Sequence, residues 1–585
     1  MSQKDYNLID TLQKKFNESV ELNKESTDEF DEHKQYYHGD QLPDDVLATL
    51  RARSQPVHWE NLYQKIGNKI MGFKISTRKE IRVLGRQRDD KNVANLLTDI
   101  FRTISDDKSF NAQLKQCDVD LLLGLGVFEV GVKDTGEKDD LGKSIKEVYI
   151  EHIPAECFRI DPFSVKYDGS DSRHFHKELF IDREELERVF GVAQLSSVVF
   201  TKNAYSDRER ARIIETWYMV IEKGKWVWKR SFWSDYTVLK TEKNPYMHKR
   251  HPFAIRKLFI DNTKDNNNFY GMFRNVKPIQ DSVNFAILRV QNMLGSNKTI
   301  IEEDAVDDVD SFIEEYNKDD SVNVVRSGAI MNGKIQHVKH NAEIAQLGNL
   351  LVDYRKSATD IIGVSDELLG AATNRMSGYA IEQRQNVGLV GLQQFMDASD
   401  ELLVQAFTLA LSLVQQYYTA EQVFKIIEKE SFERYFVINE YERAEHGEVA
   451  RDERGKPKIK NRIDVGRYDV ILKTIPATQG SMAERYKMNT ELLKTVAQAE
   501  PELLKPMLPL LLRDSQSTIA DDVLEMIQNL AKQGESKEAA QAKEMQMQQI
   551  KLTMDKMSAE IALLKAKSVK TVAEANEEAG RVRGA

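Results

Sequence analysis

Residues 276–294 read VKPIQDSVNFAILRVQNML, and residues 342–361 read AEIAQLGNLLVDYRKSATDI. In the first, Val276, Ile279, Val283, Ile287, Val290 and Leu294 recur every three or four residues, the period of one helix face. Ile344, Leu347, Leu351, Tyr354, Ala358 and Ile361 repeat that pattern in the second. Amphipathic helices over 273–295 and 342–361 follow. Between them, 296–341 forms a compact insert with a short acidic helix and β-type runs such as Val322 to Val325. Two helices of this kind pair antiparallel and carry the insert at their far end. No proline occurs between Pro278 and Pro457, so nothing interrupts long helices there.

Downstream, a loop from Gly363 to Ser377 leads into the longest helical pattern, 377–418, about 63 Å at 1.5 Å per residue. Gly378, Gly388 and Gly391 in its first half allow a bend or close packing. A mixed stretch with YFVINEYE (435–442) and YDVILKTI (468–475) follows. The C-terminal region is again helical, and Met547, Ile550, Met554, Met557, Ile561 and Leu564 form a heptad seam. That seam is too short to hold a coiled coil alone, so it points to helices packed side by side in an assembly.

Upstream, the first sixty residues are polar and helix-compatible and end near the turn Tyr36-Tyr37-His38-Gly39-Asp40. Short helices are expected over Pro43 to Arg53 and Asn61 to Phe73. From Leu121 to about Asp261 the pattern is mixed, with strands at Val127 to Val132, Glu147 to Ile153 and Ile213 to Ile221. Trp226, Trp228, Phe232 and Trp233 follow the Lys223-Gly224 turn in a hairpin. The fold class is mixed α+β and helix-rich.

The chain has 585 residues, room for roughly four domains, and a net charge of −10. That balance argues against DNA binding through high overall positive charge. Two cysteines, Cys117 and Cys157, exclude a disulfide framework and a cysteine-rich zinc module. The N-terminus lacks an apolar signal core and no long uncharged apolar stretch occurs, so a soluble protein of a reducing compartment, without membrane contact, is expected.

Catalytic motifs fail on their chemistry. Gly136 to Ser144 (GEKDDLGKS) resembles a phosphate loop, but five residues separate its glycines and three are carboxylates. A charged hairpin turn is expected instead. Gly124-Leu125-Gly126 lacks the downstream helix of a dinucleotide site and reads as small residues entering a packed strand. His174 and His176 have no third metal ligand at fixed spacing and read as a surface pair. No paired acids form a general acid/base set, and neither catalytic residue, metal nor cofactor is assigned. The tryptophan cluster 226–233, interleaved with Lys225, Lys229 and Arg230, suits base stacking or an ordinary core, and core is the expectation.

One segment stands apart. Residues 302–320 hold ten acids, Glu302, Glu303, Asp304, Asp307, Asp308, Asp310, Glu314, Glu315, Asp319 and Asp320, against Lys318 alone. A solvated helix face, a calcium site, and an acidic docking surface or a wall that must not hold DNA are the readings. The glycine and ligand spacing of an EF-hand are missing, and the place at the tip of a helix pair favours docking.

Several strings resemble the portal proteins of tailed bacteriophages, the short-tailed type above all. They are Tyr36-Tyr37-His38-Gly39-Asp40-Gln41-Leu42-Pro43 with Gln55-Pro56 and Asn61; Asp161-Pro162-Phe163-Ser164 with Asp168-Gly169-Ser170-Asp171; and Asn268-Phe269-Tyr270-Gly271 with Pro278-Ile279-Gln280-Asp281-Ser282-Val283-Asn284. Gly363-Val364-Ser365, Leu369-Gly370, Asn374 and Ser377-Gly378-Tyr379-Ala380-Ile381 complete the order. The likeness runs from about residue 30 to 480, and the last hundred residues match by architecture only.

The resemblance implies a ring, usually of twelve subunits, at one vertex of an icosahedral head, through which double-stranded DNA passes without sequence specificity. It implies an N-terminal helix and α/β wing (1–265), stem helices (266–295 and 342–361) and a clip (296–341). A tunnel loop (362–376), a long helix with the rest of the wing (377–480) and a helical crown or barrel (481–585) follow. Asn374, Arg375 and Met376 would touch DNA. The clip acids Glu302, Glu303, Asp304, Asp307, Asp308, Asp310, Glu314 and Glu315 would dock the large terminase subunit and later a tail adaptor or head-completion protein. Ile279, Val283, Ile287, Val290, Ile344, Leu347, Leu351, Ile550, Met554, Met557 and Ile561 would pack subunits. Major capsid and scaffolding proteins are further implied partners, and the virion, with the host cytoplasm during assembly, is the implied location. A non-viral helical scaffold or adaptor and a packaging enzyme such as a terminase are the other classes.

Overall fold

The computed structural model describes residues 3–474 except 54, 77–78, 88–89, 203–206, 264–267, 295–298, 317–321, 338–340, 364–389, 429–431, 443–448, 452–456, 461 and 465. The chain divides into two compact units. One is Met1–Ile75, Lys79–Ile426 and Tyr435–Lys473; the other is Ser76–Arg78, Ile427–Arg434 and Thr474–Ala585. The expected C-terminal helices and the heptad seam lie outside the described residues.

Helices α1 (Gln3–Leu22), α2 (Lys24–His38), α3 (Asp44–Ala52) and α4 (Leu62–Ser76) open the chain, and β1 (Lys79–Gly85), α5 (Lys91–Asp106) and α6 (Lys108–Leu123) follow. The mixed region comprises β2 (Leu125–Lys138), β3 (Ser144–His152), β4 (Phe158–Ile160), β5 (His174–Asp182), α7 (Arg183–Phe190) and β6 (Phe200–Lys202). It continues with β7 (Glu209–Glu222), β8 (Lys225–Ser234), β9 (Thr237–Lys243), β10 (Phe253–Lys257), β11 (Phe259–Asp261) and β12 (Asn268–Tyr270). Then come α8 (Lys277–Leu294), β13 (Thr299–Ile301), α9 (Val309–Tyr316), β14 (Ile335–His337) and α10 (Asn341–Ile362). The last described elements are α11 (Gln393–Tyr417), β15 (Gln422–Glu428), β16 (Phe432–Ile438) and β17 (Tyr468–Thr474).

Two antiparallel sheets carry the mixed region. One has the order β10-β2-β3; the other runs β4-β5-β7-β8-β9, with β6 paired to β7. The charged string 136–144 is the hairpin between β2 and β3, where Asp139 Oδ1 accepts from the Leu141 (3.0 Å) and Lys143 (2.8 Å) amides. Helix α11 is buried along most of its length by Phe395, Leu402, Ala406, Phe407, Ala410 and Val414. Its core joins α5 and α6 to β2, β3 and β10 through Phe101, Phe110, Phe128 and Ala254. A second core runs from α2 and α4 through Trp217, Trp228 and Phe253 to α8 and α10.

Gly271 lets two segments touch, since a Cβ there would lie 2.4 Å from the Leu123 carbonyl carbon. Gly391 packs closely too: a Cβ on it would stand 2.9 Å from Gly363 Cα. Of the helix expected over 377–418, residues 393–417 form α11 and Val390–Leu392 a short 3-10 turn before it, while 377–389 lie outside the described residues.

Three expectations change. Val322 to Val325 form no strand; the insert's strands are β13 and β14, which pair with each other. Trp228 and Trp233 are core, but Trp226 is 53% exposed. His174 and His176 are buried rather than on the surface, because α1 covers them. Phe16 of α1 packs edge-on to His176 and Trp233, and Ile9 and Leu12 complete the contact with Ile214 and Tyr218. Ser19 Oγ lies 3.0 Å from His174 Nε2, and Thr216 Oγ1 lies 2.8 Å from His176 Nδ1.

Burial drives both imidazoles toward the neutral form, His174 down to about 4 despite Asp161 at 3.8 Å, and His176 well below its ordinary value. Between pH 6.5 and about 4 the unfolded chain therefore binds protons that the folded one does not, and stability falls as pH falls. Amide exchange at Ile9, Leu12 and Phe16, corrected for intrinsic rate, is expected to be at least tenfold faster at pH 4.5 than at pH 7. Unchanged protection of α1 contradicts this account of its docking.

Candidate functional site

Helix α8 starts where three polar segments converge. Pro278 occupies its first turn, where a missing N–H costs nothing. Gln280 Nε2 donates to the Glu60 carbonyl (2.6 Å) and to Asn284 Oδ1 (2.9 Å), and Gln280 Oε1 accepts from the Leu62 amide (2.9 Å). Asn284 Nδ2 donates to Gln41 Oε1 (2.9 Å), whose own Nε2 donates to the Tyr36 carbonyl (2.9 Å). Gln41, Gln280 and Asn284 are all buried. Leu62 begins α4, so this relay satisfies a first-turn donor that the helix itself cannot. Asn61 caps the same turn through the Gln64 amide (2.9 Å) and donates to the Tyr37 carbonyl (3.0 Å).

Charge reinforces the junction. Tyr36 donates to Asp281 Oδ1 (2.7 Å), and burial together with that carboxylate pushes the phenol up to about 12. Lys277 lies between Glu32 (3.1 Å) and Asp281 (3.2 Å). Burial alone would raise the Glu29 pKa, but Arg274 and His33 bring it down to about 2. Tyr63 stacks on Phe273 at 4.3 Å and meets His33 Nδ1 at 2.9 Å.

A second knot forms around Lys257. Its ammonium donates to the Ser164 carbonyl (2.8 Å) and Oγ (3.1 Å), while Ser164 donates to Asp171 Oδ1 (2.7 Å). Asp161 Oδ2 accepts from the Arg173 amide (2.8 Å). Burial lowers the Lys257 pKa to about 8, with Asp171, Asp168 and Asp161 resisting.

Helices α8 and α10 pack on each other and flank the insert. There Asp304 pairs with Lys334, Asp307 pairs with Arg326 (2.6 Å), and the Glu302 amide donates to the Lys334 carbonyl (2.9 Å). Ala305, Val306, Phe312 and Ala329 are its buried apolar residues. Around the acids, Val322, Val324, Ile330 and Met331 are each at least 74% exposed. Among the described residues no group of acids, histidines or cysteines is placed to hold a metal, and no helix is long and apolar enough to cross a membrane.

The family profile described as Phage P22-like portal protein matches residues 13–571. A portal protein of Helicobacter pylori bacteriophage KHP30 is 36% identical over 565 residues, covering 96% of this chain and 88% of that protein. The chain belongs to the P22-like portal family.

In this portal chain Glu302, Glu303, Asp304, Asp307, Asp308, Asp310 and Glu314 are exposed, and Glu315 is half-buried. Lysines and arginines of the same insert neutralise part of the run. Of the residues expected to pack subunits, Val283 and Leu351 are buried within the chain, and Ile279, Ile287 and Leu347 are packed on the same core. Val290 and Ile344 are half-buried. Asn374, Arg375, Met376, Ile550, Met554, Met557 and Ile561 lie outside the described residues. In sequence Gln41, Gln280 and Asn284 lie in separate strings, and no local pattern marks their mutual contact.

Gln280→Ala removes partners from Leu62, Glu60 and Asn284, and a loss of about 2–4 kcal/mol is expected in chemical denaturation of the portal chain. With Asn284→Ala added, the total should fall short of the sum of the two singles by about 0.5–3 kcal/mol. Strict additivity would show that the relay is not one unit.

Proposed function

We propose that this portal protein works as a ring, usually of twelve copies, that forms a conduit for double-stranded DNA at one vertex of the phage head during packaging and ejection. The observation that carries the reading is the buttressed helix pair with an acidic, partly apolar tip. On this reading α8 and α10 are the stem, the insert 296–341 is the clip, and the elements before α8, with α11 and the strands after it, are the wing. Residues 362–376 are the tunnel loop and 481–585 the crown or barrel.

Unlike faces on the stem support head-to-tail association. At about 100° per residue, Phe285, 64% exposed, points to the side of α8 opposite Ile287, Val290 and Leu294. Those three border an open groove of about 710 Å³ shared with Trp59, Leu351 and Arg355. A closed ring of heterologous contacts requires two different surfaces of this kind on each subunit.

DNA that must slide gains from few phosphate contacts, since each adds counterion-release affinity. A net-acidic subunit suits that demand, with Asn374, Arg375 and Met376 touching the duplex lightly. The clip docks the large terminase subunit and then the tail adaptor, its acids steering a basic partner and its exposed Val322, Val324 and Met331 anchoring it. The terminase, a separate ATPase, supplies the energy; the portal supplies no cofactor chemistry. Major capsid and scaffolding proteins are further partners, and the assembled protein resides in the virion after assembly in the host cytoplasm.

Reversing Glu303, Asp310 and Glu314 to lysine tests the docking role. Binding of the purified terminase large subunit should weaken by at least tenfold while particle size stays that of the unaltered protein. Undiminished binding would remove the insert from the docking surface.

A further inference from the structure

The β7–β8 hairpin carries an exposed surface to which the proposed function assigns no partner. Ile221 stands directly opposite Trp226, next to the Met219–Trp228 pair, so alternation places all four on one face. That face is core at Trp217 and Trp228 but runs past the core edge, leaving Ile221 63% and Trp226 53% exposed. The Arg173 guanidinium sits 5.5 Å above the Trp226 ring, and the loop leading to Arg173 exposes Phe163 and Val165. Lys223 (φ 50°) and Gly224 (φ 76°) make the two-residue turn whose twist matches the strands, so the tip is held rigidly.

The charge is as unusual as the aromatic. Residues 221–250 hold eight lysines and arginines against three acids, in a chain whose net charge is −10. Glu222 pairs with Lys229 (2.7 Å) and Glu242 with Arg230, while Lys223 and Lys225 make no ion pair among the described residues. Lys225, Lys229 and Lys243 line the face opposite Trp226, and Lys249 and Arg250 are exposed in the loop after β9.

On the portal reading, we propose that the β7–β8 hairpin tip is a docking surface for an acidic segment of another head protein that wraps the tip, with Trp226 and Arg173 as its anchors on one face and Lys223 in the turn and Lys225 on the other face as its cationic contacts. Exposed tryptophan and arginine on a rigid element is the composition of an interface hot spot. The two lysines select the sign of the partner. Duplex DNA fits less well, because its stacked bases give Trp226 nothing to cover it.

Assembled heads, both empty and DNA-filled, provide the test. A zero-length carbodiimide cross-linker joins lysine amines only to carboxylates in contact with them. Peptides containing Lys223 or Lys225 should be found joined to aspartate or glutamate of a different head protein, equally in empty and filled heads. Trp226→Ala, a change at an exposed position, should reduce that product at least tenfold in heads that still contain the portal chain. Cross-links confined to carboxylates of the portal chain itself would overturn the proposal. So would protection of these lysines from acetylation in filled heads alone, which would assign the surface to DNA.

Discussion

The relay Gln41–Asn284–Gln280–Leu62 is the interaction on which the rest of this structure depends. It is buried, it is made of neutral amides, and it spans three segments remote in the chain. Neutral amides satisfy each other without the desolvation penalty that a buried ion pair carries. Direction matters as well, since each amide offers donors on one atom and an acceptor on the other, and only one arrangement satisfies all of them. The turn after α2, the start of α4 and the second turn of α8 are thereby held in one geometry. The helix pair then projects from a fixed base, and its insert is presented at a defined place.

Charge is distributed to match. Acids concentrate on the insert, where Lys334 and Arg326 neutralise only part of them. Cations concentrate between the β7–β8 turn and the loop after β9, residues 221–250. Within the body, charges are paired: Lys74 with Asp118, Lys79 with Asp400, Lys177 with Glu129. The net charge of the whole chain thus conceals two surfaces of opposite sign, each with exposed apolar side chains beside it. That combination fits partners that are recognised by sign and held by apolar contact.

The helices flanking the insert were legible because period alone defines them: 273–295 and 342–361 were expected, and Lys277–Leu294 and Asn341–Ile362 are observed. The hairpin at Lys223-Gly224 was legible from turn chemistry. Contacts across 243 residues, such as Asn284 with Gln41, have no local signature, so the strings were readable but not their partnership. Val322, Val324 and Val325 have β-branched side chains, but among the described residues no strand pairs with this segment, and a strand needs one. His174 and His176 misled because their burial is decided by α1, which arrives from far away in sequence. Trp226 shares its face with Trp228, as alternation requires, yet the sheet extends beyond its core there. Periodicity specifies a face; tertiary packing decides how much of it is covered.

The most direct measurement is imaging of the purified full-length chain by electron microscopy, with particle mass determined in parallel. The account predicts closed rings of about twelve copies with an open central channel, the helix pairs arranged around it. Dimers, open filaments or monomers as the stable form would contradict it.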